Sequence, residues 1–245
     1  MRVDKREIMN RLRQDILRLQ GDVPTASSAA QHIGLGPVEK AFPNGAFPVR
    51  GIHEFIYGGQ EEAAATSGFL SGLLSRFMKD SRVCLWISAS RALFPPVLKA
   101  FGVDPHHVIF VDMAREKDVM WAMEEALKCG GLAAVVAEVQ TLDFIQSRRL
   151  QLAVEKSRVT GFVIRSTSQS IGATACVARW HIRPIASALD EGMPGVGFPR
   201  WEVELLKVRN GNPGRWKMEW AHGRFLPLAP RQTQPLMSGW DRKSG

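Results

Sequence analysis

An α/β fold built on a mainly parallel sheet is what this sequence predicts, and three observations predict it. From Gly51 to Arg165, short apolar runs alternate with segments of helical period. Alternating strands and helices give a parallel sheet covered by helices on both faces. The apolar runs are nearly continuous, as strands buried on both sides are. After Cys176 the helical segments stop, so antiparallel strands complete the C-terminal edge.

Taken in order, Ile52–Tyr57 reads as a strand and Glu62–Met78 as a helix. Arg82–Ser88 reads as a strand, Phe94–Phe101 as a helix, His107–Asp112 as a strand and Glu116–Cys129 as a helix. Leu132–Val139 is a strand, Phe144–Arg158 a helix and Thr160–Arg165 a strand. Cys176–Ile182, Arg200–Arg209 and Arg215–Trp220 read as antiparallel strands. The turn Asn210-Gly211-Asn212-Pro213-Gly214 joins the last two. Residues 1–24 carry an amphipathic helix, with Ile8, Leu12, Ile16 and Leu19 at helical spacing. Residues 25–229 form the core, opened by a small-residue linker to Gln31. Residues 230–245 lack periodicity, contain Pro230, Pro235, Gly239 and Gly245, and read as a flexible basic tail.

The 245 residues carry a formal net charge of +8 and are 45% hydrophobic, enough for a sizeable core. That charge sits at the ends. Residues 1–21 hold six bases against three acids, and the chain from Arg200 onward holds nine against four. Basic ends suit nucleic acid or an acidic protein surface. No apolar run is long enough for a membrane span, and no secretory signal opens the chain. Cys84, Cys129 and Cys176 lie far apart in apolar surroundings and read as reduced core residues of a cytoplasmic protein. No metal spacing exists, His106-His107 included, and no cofactor is expected.

The segment from Gly51 to Leu70 has the rhythm strand, glycine turn, helix. A phosphate-binding loop reads G-x-x-x-x-G-K-[ST] in that position. Registering Gly59, beside Gly58, on the first glycine puts Ala64 on the second, Ala65 on the lysine and Thr66 on the hydroxyl. Glu61 and Glu62 add negative charge at the helix start, where phosphates would otherwise sit. His53-Glu54 reads as a strand end. Arg148 and Arg149 on one helix are candidates for contact with DNA or a partner carboxylate. Trp180, Trp201, Trp216 and Trp220 lie among arginines, a composition of single-strand binding, although alternating strand positions more often supply core packing.

The order of elements and the residues at their turns resemble the RecA-like fold. Cys84-Leu85-Trp86-Ile87-Ser88-Ala89-Ser90-Arg91-Ala92-Leu93-Phe94-Pro95, then Gly102-Val103-Asp104, is similar to that superfamily's second strand and its following segment. Val177 to Arg183 and the Arg209-Asn210-Gly211 turn match a late strand and hairpin. On this resemblance the catalytic glutamate falls on Ser90, the magnesium-holding aspartate on Glu138, and the polar sensor pair on Arg165-Ser166. Loss of lysine, base and sensor together speaks against ATP hydrolysis. Both DNA-binding loops of that superfamily are cut short.

A narrower resemblance is to the ImuA family. Its carriers are Ile52-His53-Glu54, Ala63-Ala64-Ala65-Thr66-Ser67-Gly68-Phe69, Arg148-Arg149-Leu150-Gln151-Leu152-Ala153 and Val159-Thr160-Gly161. The resemblance implies a non-catalytic adaptor of the SOS mutasome in translesion synthesis and the DNA-damage response. Its partners would be an ImuB-like polymerase-family protein, RecA and an error-prone C-family replicative polymerase, with DNA bound weakly or indirectly. The alternatives are a SulA-type inhibitor of the cell-division GTPase FtsZ and a true DNA-dependent ATPase. Arg231, Leu236, Met237, Trp240, Arg242 and Lys243 in the tail are the candidate docking residues, a large aromatic beside positive charge.

Overall fold

The structure is a computed structural model describing residues 32–78, 82–90, 93, 95–167, 171–187 and 197–228. The predicted N-terminal helix and the tail residues Arg231 to Lys243 lie outside the described residues. Nine strands form one sheet: β1 (Ile52–Tyr57), β2 (Cys84–Ser88), β3 (Val108–Asp112), β4 (Ala134–Val139), β5 (Thr160–Ser166), β6 (Ala178–Ile185), β7 (Arg200–Val208), β8 (Gly214–Ala221) and β9 (Arg224–Pro227). Among the described residues three α-helices accompany them: α1 (Gln60–Phe77), α2 (Glu116–Leu127) and α3 (Phe144–Ser157). The sheet order is β3-β2-β4-β5-β1-β6-β7-β8-β9. Strands β3 through β6 pair in parallel, and β6 through β9 form an antiparallel meander.

Strand alternation divides the core in two. One face carries Phe55, Trp86, Val136, Phe162 and Trp180 beneath α1 with Phe69, Leu70 and Leu73. The other carries Ile52, Ile87, Val135 and Val163 beneath α2 and α3, which contribute Met123, Leu127, Leu150 and Val154. Gly161 on β5 permits this second packing, because a Cβ there would lie 2.5 Å from Ile52 Cδ1. Helix α3 begins with a full capping box: Asp143 accepts from the Gln146 amide while Gln146 accepts from the Asp143 amide.

Three expectations change. The segment expected as a helix over Phe94–Phe101 is a 3₁₀ helix, Pro95–Phe101, because two leading prolines supply no amide donors. Strand β9 was not expected. It follows a two-residue turn, His222-Gly223, in which both residues have positive φ, 53° and 70°. Such a turn matches the twist of a hairpin, but His-Gly is a weak signal for it. Cys129 is exposed, unlike Cys84 and Cys176, because α2 ends at Leu127 before reaching it.

Candidate functional site

The strand-to-helix turn after β1 decides the site. Tyr57 ends β1, Gly58 follows, Gly59 caps α1, and the helix begins at Gln60. A phosphate-wrapping loop needs several residues between strand and helix to turn its amides inward. Here two glycines span the gap. Ala64, Ala65 and Thr66 therefore lie within α1. Ala65 and Thr66 are buried toward the sheet, and among the described residues Thr66 Oγ1 has no hydrogen-bond partner.

The turn is also filled from within. Glu62 reaches back four residues, and its Oε2 accepts from the Gly58 amide at 2.6 Å. Nε2–H of His181 on β6 donates to the same carboxylate at 2.9 Å, and Arg183 Nε stands 3.9 Å from it. Burial opposes ionisation of Glu62. The His181 hydrogen bond, the Gly58 amide and the His181 and Arg183 charges outweigh it, so the carboxyl titrates below its ordinary range. An internal carboxylate thus occupies the amide that a phosphate oxygen would need.

Glu62 joins a cross-strand lattice on β6, β7 and β8. Arg183 pairs with Glu202 at 2.9 Å and Glu204 at 3.1 Å, and Arg215 pairs with Glu204 at 2.7 Å. The Arg215 hydrogen bond holds the Glu204 carboxyl below the usual range. Arg183 sits opposite Glu202 and Arg215 opposite Glu204 in register, with Glu204 diagonal to Arg183, the arrangement that stabilises a sheet pair.

Glu54 and His53 are not at a strand end; both lie inside β1 and are fully buried. Arg165 Nε donates to Glu54 Oε1 at 2.7 Å, and Arg179 Nε to Oε2 at 2.7 Å. The Thr174 hydroxyl adds a bond to Oε2 at 2.9 Å. The sensor position of the RecA-like resemblance thus holds an arginine committed to a buried ion cluster. That cluster ties β5 and β6 to β1. Sequence reasoning missed it because the partners lie more than a hundred residues apart in the chain. The signal available was the run of charges, Glu54, Arg165 and Arg179, each inside an apolar strand.

On the opposite face, His53 Nε2–H donates to the Pro48 carbonyl at 2.8 Å, and its Nδ1 accepts from Trp180 Nε1 at 3.2 Å. Both nitrogens are thereby assigned in the neutral ring, and burial lowers its pKa to about 4. Glu138 accepts from Trp86 Nε1 at 2.8 Å, and burial raises its carboxyl pKa despite that bond. Ser90 is exposed in a bend beyond β2. Arg149 pairs with Glu124 of α2 at 2.6 Å, and Arg148 lies 3.8 Å from Glu155. Trp180, Trp201 and Trp220 are buried, so their aromatic surface belongs to the core. Among the described residues no cluster of three or more His, Cys, Asp or Glu is placed to hold a metal ion. Among them, too, no helix is long and apolar enough to cross a membrane.

The chain is 32% identical over 195 residues to Protein ImuA of Caulobacter vibrioides, covering 74% of this chain and 80% of that protein. It belongs to the ImuA family. Residues 51–161 of this family member also match the model of the cell division inhibitor SulA family. SulA of Edwardsiella piscicida is 28% identical over 124 residues, 51% of this chain and 73% of that one. Among solved structures, the RadB recombinase superposes with a TM-score of 0.54 at 12% identity, over 81% of this chain and 99% of that chain. That likeness establishes the RecA-like fold of this ImuA-family chain.

Proposed function

We propose that this chain is a non-catalytic RecA-like adaptor of the SOS mutasome. It would assemble or regulate an ImuB-like polymerase-family protein and an error-prone C-family DNA polymerase during translesion synthesis, with RecA as a further partner. Membership of the ImuA family supports the setting. The observation that carries the non-catalytic part is the two-glycine passage from β1 to α1 with Glu62 seated on the Gly58 amide. On the RecA-like resemblance the lysine position falls on Ala65 and the general-base position on Ser90, and Glu138 is engaged by Trp86. DNA contact, if made by the basic ends or by Arg148 and Arg149, would be weak, sequence-independent and salt-sensitive through counterion release.

The tail residues Arg231, Leu236, Met237, Trp240, Arg242 and Lys243 are the proposed docking element, in a protein working in the cytoplasm. Affinity capture on the tagged chain from damage-treated cells tests the reading. Recovery of the ImuB-like protein and the polymerase, lost on deletion of residues 231–245, is expected. A second reading, inhibition of division through FtsZ, is favoured only by the SulA match over residues 51–161. Recovery of FtsZ without polymerases would establish it in place of the first.

A further inference from the structure

We propose that the end of the sheet opposite the Gly58 turn is a nucleic-acid surface, which holds a DNA phosphate backbone through a row of cations. The parallel strands begin at this end, and bases stand where they begin. Arg82 lies two residues before β2, Arg158 two before β5 and Arg50 two before β1. The register sets Cys84 against Ala134, Ala134 against Thr160 and Gly161 against Ile52. The three arginines therefore share one level of the sheet to within a residue. Lys156, in the last turn of α3, stands beside Arg158. Arg209, just past β7, reaches the same end and donates through Nη2 to the Ala175 carbonyl ahead of β6 at 2.6 Å. Neighbouring strands lie about 4.8 Å apart, so the four steps from β2 through β4, β5 and β1 to β6 make a row roughly 19 Å long.

These charges are available to a ligand. Arg50, Arg82, Lys156 and Arg158 are exposed. Among the described residues no carboxylate pairs with any of the five. Arg82 and Arg209 each give one nitrogen to a backbone carbonyl, which leaves the charge and the other guanidinium donors free. The acids that flank the row are engaged already: Glu125 with Lys128, Glu155 beside Arg148, and Asp104 with the His106 amide and His107. Lys79-Asp80, next to Arg82 in the chain, adds no net charge. Helices α1, α2 and α3 also end here, and their C-termini bring about half a negative charge each, which offsets fewer than two of the five cations.

The chemistry of the row selects phosphate over protein. The centre of a protein interface is apolar. None of the large exposed hydrophobic residues lies in the segments 49–51, 82–83, 128–132, 156–159 or 208–211 that form this end. Guanidinium groups at strand spacing instead meet the closely spaced charges of a phosphate backbone, which arginine grips in a bidentate fork. With no exposed aromatic in these segments, bases are not stacked, so duplex and single strand bind through charge without sequence preference. Arg148 and Arg149 are not part of the row; Arg149 is paired with Glu124 and Arg148 lies near Glu155. The surface stands whether or not the tail docks a partner.

Fluorescence anisotropy of labelled single strands and duplexes of about 30 nucleotides, titrated with the full chain in about 50 and about 200 mM salt, is the test. The wild type should bind both at about micromolar affinity in the lower salt and lose most of that affinity in the higher. Arg50→Gln, Lys156→Gln and Arg158→Asn combined should weaken binding at least about tenfold in the lower salt. The slope of log affinity against log salt should fall by about 2–3, at about 0.9 for each lost phosphate contact on duplex. Asparagine serves at 158 because the backbone there has φ 65°, which it tolerates. Lys156→Gln alone, at an exposed position, should lower the slope by just under about 1 and provides the readout if the triple variant unfolds. Glutamine at the tail positions Arg231, Arg242 and Lys243 together should cost less than the triple variant. Wild-type affinity in the triple variant, or a wild type that binds neither DNA in the lower salt, overturns the proposal. So does an equal or greater loss from the tail variant, which would assign the contact to net charge alone. Loss of an acidic protein partner by the triple variant, with DNA binding unchanged, would overturn it in favour of a protein surface.

Discussion

Glu54 and Glu62 lie eight residues apart, one in the middle of β1 and one in the first turn of α1, and their surroundings are opposite. Glu54 is fully buried, with both oxygens taken by Arg165, Arg179 and Thr174. Glu62 is partly exposed and gathers a backbone amide, a histidine and a distant arginine. The first holds the sheet together at its centre. The second closes a turn on its rim. The buried ion cluster lies inside the sheet, where it braces β5 and β6 against β1, and the rim carries a carboxylate on the Gly58 amide. The bracing of the sheet and the closing of its rim thus depend on different residues.

The largest effect should come from breaking the buried centre. Glu54→Ala leaves Arg165, itself 2% exposed at its side chain, and Arg179 without their counter-charge. Removing one partner of a buried pair costs about 3–5 kcal/mol. Urea unfolding should show that loss, and Glu54→Gln should recover part of it through the remaining hydrogen bonds. A change under about 1 kcal/mol for Glu54→Ala would mean that the cluster does not brace the sheet.

His53 supplies the next effect, read by pH. Its ring is neutral in the fold with a pKa of about 4, against 6.5 when unfolded. Above pH 6.5 neither state takes a proton, and stability is full. As pH falls from 6.5 to about 4 the unfolded chain binds a proton that the folded chain refuses, so stability declines. The expected loss is roughly 3 kcal/mol, at about 1.4 kcal/mol per pKa unit. His53→Phe should flatten the denaturation midpoint across that window, whatever its own stability. An unchanged slope would place the acid sensitivity elsewhere.

The smallest effect belongs to the rim. Glu62→Ala should cost no more than about 1 kcal/mol, since the pair it breaks is partly solvated. The pH sign is opposite in origin to that of His53 but alike in direction. The carboxylate's contribution is present above its ordinary pKa of 4.5 and is lost as pH falls through its lower folded value. Thermal melts of Glu62→Ala and wild type should therefore converge in strong acid.

What the sequence made legible was governed by local pattern. The order of strands and helices from β1 to β8 followed from apolar periodicity, and the Gly58-Gly59 turn from the glycines themselves. Register was less legible. The phosphate-loop pattern put Ala65 and Thr66 on its lysine and hydroxyl positions, and only the structure shows that both lie well inside a helix that begins at Gln60. The Glu54 cluster was hidden because Arg165, Thr174 and Arg179 meet it only through the β5-β1-β6 pairing. The burial of Trp180, Trp201 and Trp220 follows likewise from which face each strand turns inward. Strand β9 was hidden in a His222-Gly223 turn that resembles no common hairpin signal.

Calorimetric titration of the full chain with ATP and magnesium is the most direct measurement of the central claim. With two glycines between β1 and α1, and Glu62 on the Gly58 amide, no saturable heat is expected up to millimolar nucleotide. Glu62→Ala should not restore it, because the loop remains too short to wrap a phosphate. Micromolar binding by the wild type, abolished by bulky substitution at Gly58 or Gly59, would contradict the reading of a RecA-like fold without its nucleotide site.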